Sequence, residues 1–273
     1  MAKKKTFSSP DSQEREQIRA LLRFSKQLQR DVTLVLLPKI DEIIEQFKTE
    51  SRADGWTDTL DTVMAELAKL AFHAIFVTVT KLPKQFDAVS KFNEGQFKLV
   101  VKANTKLPLP PVMPGAPKSS ILGVNVFRSE PFLQPLAEGW ISENTSLIKS
   151  LPTRLHPDLE GIIRRGVMNG ASVKTIKEQI KKQYGTTDSR AKLIAQDQIL
   201  KLNADLTRYR LQSVGVKRYV WRTVKDNRVR PEHVEREGRI YSWENGAGGE
   251  HPGEPVRCRC HAEAIWDDDS EPD

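Results

Sequence analysis

The chain reads as an α+β protein: a helical N-terminal region, a Pro-rich linker, and a C-terminal module of helices followed by a small β-rich segment. Three observations predict this. Apolar residues recur at helical spacing through the first hundred residues and again from Pro157 to Tyr209. Five prolines crowd residues 107–117, and from Val216 strand-forming residues alternate ahead of several glycines.

Ser9-Pro10 is a helix start, serine as N-cap and proline at the first helical position, where its missing N–H costs nothing. Ile18, Leu21, Leu22, Leu28, Val32, Val35 and Leu36 give the ensuing helix one buried stripe as far as Pro38, which should end or kink it. Ile40, Ile43, Ile44 and Phe47 continue the stripe to a turn around Asp54-Gly55, and a second amphipathic stretch runs from Asp58 toward Thr80. Residues 81–106 form a further helix carrying Phe86, Val89, Phe92, Phe97 and Val100. These observations divide the chain into a helical region at 1–106, a linker at 107–120, a module at 121–266 and an acidic tail at 267–273.

Within the module, Ile121 to Phe127 reads as a short strand or extended segment. Pro157 opens a helix that Gly170 caps, and Ser172 caps the next, which ends at Tyr184-Gly185. Asp188 or Ser189 caps a third, with Gly215 after its end. The segment KRYVWRTV is a strand, in which Trp221 belongs to the core rather than to a base-stacking surface.

The net charge of +7 hides an asymmetry, since the last seven residues, DDDSEPD, hold five acids. Such a balance suits a polyanionic neighbour such as DNA, or equally serves solubility. The longest apolar run, Leu70 to Thr80, is shorter than the roughly 20 residues of a bilayer span. The lysines at the N-terminus precede no apolar stretch, so no secretory signal is expected, and synthesis is placed in the cytoplasm. No membrane partner is expected.

The two cysteines, Cys258 and Cys260, are too close in sequence for an unstrained mutual disulfide, which leaves paired thiols or metal ligation. With His233 and His251 they supply four donors that zinc accepts, and His261 is a rival ligand. A structural zinc site and a metal-free cluster of thiols and hydrogen-bonded histidines both fit.

Four segments in fixed order carry a family resemblance: GWISENTSLIKSLP (139–152), RAKLIAQDQILKLNADLTRYRLQSVGV (190–216), WRTVKDNRVRPEHVEREGRIY (221–241) and HPGEPVRCRC (251–260). Together they resemble the Mu F-like family of phage head morphogenesis proteins, over roughly residues 123–265. The resemblance implies a minor capsid protein of the virion, acting at the portal vertex in head assembly and in DNA packaging or delivery. Its implied partners are the portal protein and the major capsid or scaffold protein; double-stranded DNA bound without sequence preference is the partner that the basic stretch from Lys201 to Arg230 suggests. It implies no catalytic residue. Some relatives carry a Cys-x-x-Cys pair where this chain has Arg230 to His233, so one ligand position here is arginine.

In physical terms, Trp140 packs the start of the module against later helices, Asn144 braces a turn, and Asp226 pairs with Arg228 or Arg230. Arg208, Arg210, Lys217, Arg218 and Arg222 are the candidate phosphate contacts, or alternatively a solvated face that meets acidic capsid partners. The alternative to a head protein is a metal-dependent nuclease or hydrolase with Glu232 or Glu235 beside a zinc-bound water.

Overall fold

The computed structural model describes residues 6–49, 54–104 and 130–266. Helix α1 spans Asp11–Asp31, one residue later than its serine–proline start suggests, because the Pro10 carbonyl accepts the first bond, from Glu14 N–H at 2.9 Å. Pro38 does disturb the helix around it. Lacking an N–H, it cannot donate to the Leu34 carbonyl. The backbone widens into a π turn at Val32–Leu36, where Leu37 N–H reaches the Val32 carbonyl, then tightens into a 3-10 turn at Leu37–Lys39. Helix α2 resumes at Ile40–Thr49, with Ile40 and Ile43 fully buried.

Helix α3 runs Asp54–Val79 and α4 runs Leu82–Asn104. Asp54 and Gly55 are therefore in the first turn of a helix and not a turn between helices. One face of α3 is bare, with Leu70, Phe72, Phe76 and Val77 all exposed. By length and composition alone, the stretch Gly55–Asn104 is long and apolar enough for a membrane span, and only 17% of its apolar window is buried. That stretch takes in both α3 and α4, whereas the run Leu70–Thr80 counts unbroken apolar residues only.

The next two helices are longer than their sequence punctuation suggests. Helix α5 covers Leu133–Met168 and passes through both Pro152 and Pro157, so Pro157 opens nothing and Asn144 lies fully buried inside a helix, not at a turn. The Thr153 hydroxyl donates to the Lys149 carbonyl at 2.9 Å beside the first proline, a local hydrogen bond of the kind that accompanies proline within helices. Gly170, at φ 67°, terminates the run: Gly170 N–H meets the Val167 carbonyl and Ala171 N–H the Gly166 carbonyl. Ser172 then caps α6, Val173–Ser213, its hydroxyl accepting from Thr175 N–H at 3.1 Å. Gly185 lies within α6 and breaks nothing. Asp188, expected as a cap, instead accepts hydrogen bonds from Ser25 (2.7 Å), Lys26 (2.8 Å) and Gln29 (2.7 Å) of α1.

After Gly215, at φ 88°, the chain turns into β1, Arg218–Arg222. A short helix α7, Pro231–Arg236, leads to β2, Ile240–Ser242, and after a long loop to β3, His261–Ile265. The sheet is antiparallel in the order β2-β1-β3. Its register puts Tyr219 opposite Ala264 and Trp221 opposite Ala262, so the two fully buried aromatics of β1 lie beside small residues on the same face. Arg222 and Glu263 occupy the other face, where the guanidinium Nε donates to the carboxylate at 2.5 Å.

The chain divides into two compact units that cut across the linear division at the proline-rich segment. One comprises residues 1–17, 83–141 and 196–273; the other comprises 18–82 and 142–195. The second unit is helical, its core including Leu21, Leu28, Leu60, Leu67, Ile148, Leu159 and Ile176. The first holds the sheet, with Phe7, Phe97, Val101, Leu211, Trp243 and Trp266 packed with Tyr219 and Trp221. The expected strand at 121–127, the linker at 107–120 and the tail at 267–273 lie outside the described residues.

Candidate functional site

The sheet unit places a cluster of sulfur and nitrogen donors. Helix α7 starts at Arg230, an extended N-cap residue, with Pro231 at the first helical position. This start aims His233 inward, where it is only 3% exposed, and its ring meets the edge of Trp221 at 5.3 Å and 67°. The loop before β3 supplies Cys258 and Cys260, also buried. That loop turns sharply: Cys258 N–H bonds the Pro255 carbonyl at 2.8 Å, and Arg257 is held at φ 58°. Arg257 is not a glycine, and its strained backbone is fixed by Asp197 of α6, whose carboxylate accepts Arg257 N–H at 2.8 Å. Gly253, at φ 94°, lets the loop approach α6 so closely that a Cβ there would sit 2.5 Å from the Ala204 methyl.

The three ligand atoms, one each from His233, Cys258 and Cys260, lie within 4.8 Å of one another, an arrangement able to hold a metal ion. Each sulfur is 3.5 Å from His233 Nδ1. The thiols also interact: a hydrogen bond from Cys260 lowers the Cys258 thiol to about 6, and the same bond, with burial, pushes Cys260 up.

His251, the fourth expected donor, is not in this cluster. It is buried, with Nδ1 2.9 Å from the Tyr219 hydroxyl and its ring against Trp243 and Tyr219. Burial pushes the Tyr219 hydroxyl up and, with Arg208 nearby, pushes His251 down, so the pair is held neutral. Glu254 braces the turn by accepting His251 N–H at 2.7 Å. His261, the rival ligand, lies in β3 outside the cluster, its pKa lowered by burial.

Beside the cluster opens a cleft of about 370 Å³ lined by His233, Cys258 and Cys260 and by four arginines, Arg228, Arg230, Arg257 and Arg259. Asp226 accepts from Arg259 at 2.8 Å and from Arg228 at 3.2 Å; the Arg259 bond, more than its other partners, holds its carboxyl below the usual range. Arg230 does not pair with Asp226; its guanidinium donates to the Val256 carbonyl at 2.8 Å and thereby ties the start of α7 to the cysteine loop. Glu232 and Glu235 are exposed on α7 and do not line the cleft.

The candidate phosphate contacts separate into three groups. Arg210 is only 1% exposed: it donates to both oxygens of Glu130 at 2.8 and 2.9 Å, to the Ser90 carbonyl and to Asn93. It is a core residue and cannot reach phosphate. Arg222 is bound to Glu263 and Glu237, and Arg208 to Glu254. Lys217 is exposed and Arg218 half-buried at the start of the sheet. Trp140 donates its indole N–H to the Gln198 carbonyl of α6 at 3.0 Å.

Sequence reasoning missed Asp197, Arg259 and Gly253, the residues that shape the cysteine loop. Arg259, between the two cysteines, carried a signal: strand-like alternation puts it on the face opposite the sulfurs, toward a carboxylate.

Residues 158–263 match the family model described as phage Mu protein F like protein, which bears out the resemblance from α5 to β3 and leaves segment 139–152 outside the match. An uncharacterized protein of Haemophilus influenzae is 34% identical over 145 residues, 53% of this chain. The chain spans about a third, 32%, of that relative's length. No solved structure matches.

Proposed function

We propose that this chain, which carries a phage Mu protein F-like segment over residues 158–263, is a minor head protein of a tailed phage. The observation that carries the reading is that match, which spans β1, α7, β2 and the cysteine loop and ends within β3. The family is one of structural phage head proteins, which fits a component of the virion better than an enzyme. In this reading the protein works in head assembly at the portal vertex, with portal and capsid or scaffold proteins as neighbours. Lys217 and Arg218 then contact packaged DNA through phosphates, without reading bases. Arg208 and Arg222 contribute less, because each already has a carboxylate.

The hydrolase alternative loses its proposed carboxylates, since neither Glu232 nor Glu235 lines the cleft. A nonsense mutation in the gene, in the phage that encodes it, tests the head reading. Infectious titre should fall and recover when the wild-type chain is supplied in trans; an unchanged titre with normal DNA-filled heads overturns it.

A further inference from the structure

We propose that His233, Cys258 and Cys260 bind a zinc ion whose remaining coordination position faces the arginine-lined cleft and takes an exogenous, oxygen-donor anion or water. This inference stands apart from the head-assembly reading and rests on geometry alone.

The donor spacing is the first support. With Zn–S ~2.3 Å, Zn–N ~2.0 Å and tetrahedral angles, a sulfur and a nitrogen on one ion are ~3.5 Å apart. Both Cys–His separations are 3.5 Å. Hydrogen bonding explains the convergence less well. An imidazole Nδ1 has one lone pair or one proton, so it cannot bond two sulfurs equally well, whereas a shared cation satisfies all three donors. The donor set of two thiolates and an imidazole is soft enough to select zinc over magnesium or calcium.

The surroundings are the second support. The segments bearing the ligands are fixed to each other by contacts that do not involve the ligand atoms: Arg230 to the Val256 carbonyl, Arg259 to Asp226, and Arg257 N–H to Asp197. Such outer contacts hold ligands in place for a metal. The expected fourth ligand, His251, has its Nδ1 engaged with Tyr219. Three protein donors beside an accessible cleft are the arrangement of a zinc site with an exchangeable position.

The cleft indicates what fills that position. Among the described residues lining it, Glu14 is the single acid against four arginines. Arg228 and Arg259 are shared with Asp226, but the guanidiniums of Arg230 and Arg257 are bonded to the neutral oxygens of Val256 and Gln196. An oxyanion entering here meets two guanidiniums that have no carboxylate partner among the described residues, and phosphate is the simplest probe.

The test uses the full chain purified without added metal. Elemental analysis should find ~1 zinc per chain, as a three-ligand site of this kind holds. His251→Ala should retain it, while the Cys258→Ser/Cys260→Ser double variant should lose it. Because the double variant can misfold, a second measurement uses the wild type: exchange of zinc for cobalt(II) should give thiolate charge-transfer and tetrahedral d–d bands. Inorganic phosphate should shift the d–d bands, and an Arg230→Gln/Arg257→Gln variant should need at least ~10-fold more phosphate for the same shift. Absence of zinc and of cobalt bands overturns the site. Loss of zinc in His251→Ala, or d–d bands indifferent to phosphate, overturns the open position.

Discussion

Arg210 separates two accounts of the basic stretch before the sheet. In the structure it joins α6 to α4 and to Glu130 through five hydrogen bonds. Arg210→Met keeps the apolar stem and removes the guanidinium. Glu130, the Ser90 carbonyl and hydroxyl, and the Asn93 amide oxygen then lose a donor. Removing one partner of a buried pair costs ~3–5 kcal/mol, because the other charge is left behind. Glu130 keeps 24% of its side chain exposed, so water recovers part of its hydration. The expected loss is therefore about 2–4 kcal/mol. Four of the five tryptophans, Trp140, Trp221, Trp243 and Trp266, belong to the same unit as Arg210, so tryptophan fluorescence reports on the affected part. With a urea slope of ~3 kcal/mol/M, the midpoint should move down by roughly 1 M. DNA affinity measured well below that midpoint, at a given salt concentration, should be unchanged. A variant with wild-type stability and weakened DNA binding would refute the placement of Arg210 in the core.

Three further substitutions probe the fold and the loop. Gly253→Ala sets a methyl 2.5 Å from Ala204 at a backbone φ of 94°, so it should lower stability by ~2 kcal/mol or more, read as a fall in Tm. Gly185→Ala should do the opposite, raising stability by up to ~1 kcal/mol, because the glycine is interior to α6 and a Cβ meets nothing within 4 Å. A loss on Gly185→Ala would mean that the helix breaks there after all. Asp188 gives a pH dependence: burial raises its pKa, but hydrogen bonds from Lys26, Ser25 and Gln29 outweigh this and hold it below the usual value. Its stabilisation is thus complete above the unfolded carboxyl pKa, ~3.9, and is lost as pH falls through the folded value. Asp188→Asn should flatten the acid limb of stability against pH, and an identical limb in the variant would remove Asp188 from the account.

The fold class and the caps at Ser172, Gly170 and Gly215 were legible because each depends on local backbone chemistry. Helix interruptions were misread for the same reason. Gly185 followed by Asp188 has the look of a stop and a new cap, yet Asp188 is taken by α1, a partner 159 to 163 residues away. Pro152 and Pro157 sit inside α5, where long-range packing of Leu151, Leu155 and Leu159 overrides the lost donors. At the sulfur–nitrogen cluster, residue types identified His233, Cys258 and Cys260, but nothing local told them from His251. That distinction rests on Tyr219, which places a hydroxyl against His251 from the buried face of β1. Arg210 was placed among the phosphate contacts because a count of charges along a helix does not show which arginine faces the core.

The most direct test of the head-protein account is mass spectrometry of gradient-purified particles from the phage that encodes this chain, with assembly intermediates analysed beside mature virions. The account predicts peptides from the chain that sediment with the particles and persist after stringent washing. Absence from both mature particles and head intermediates would contradict it.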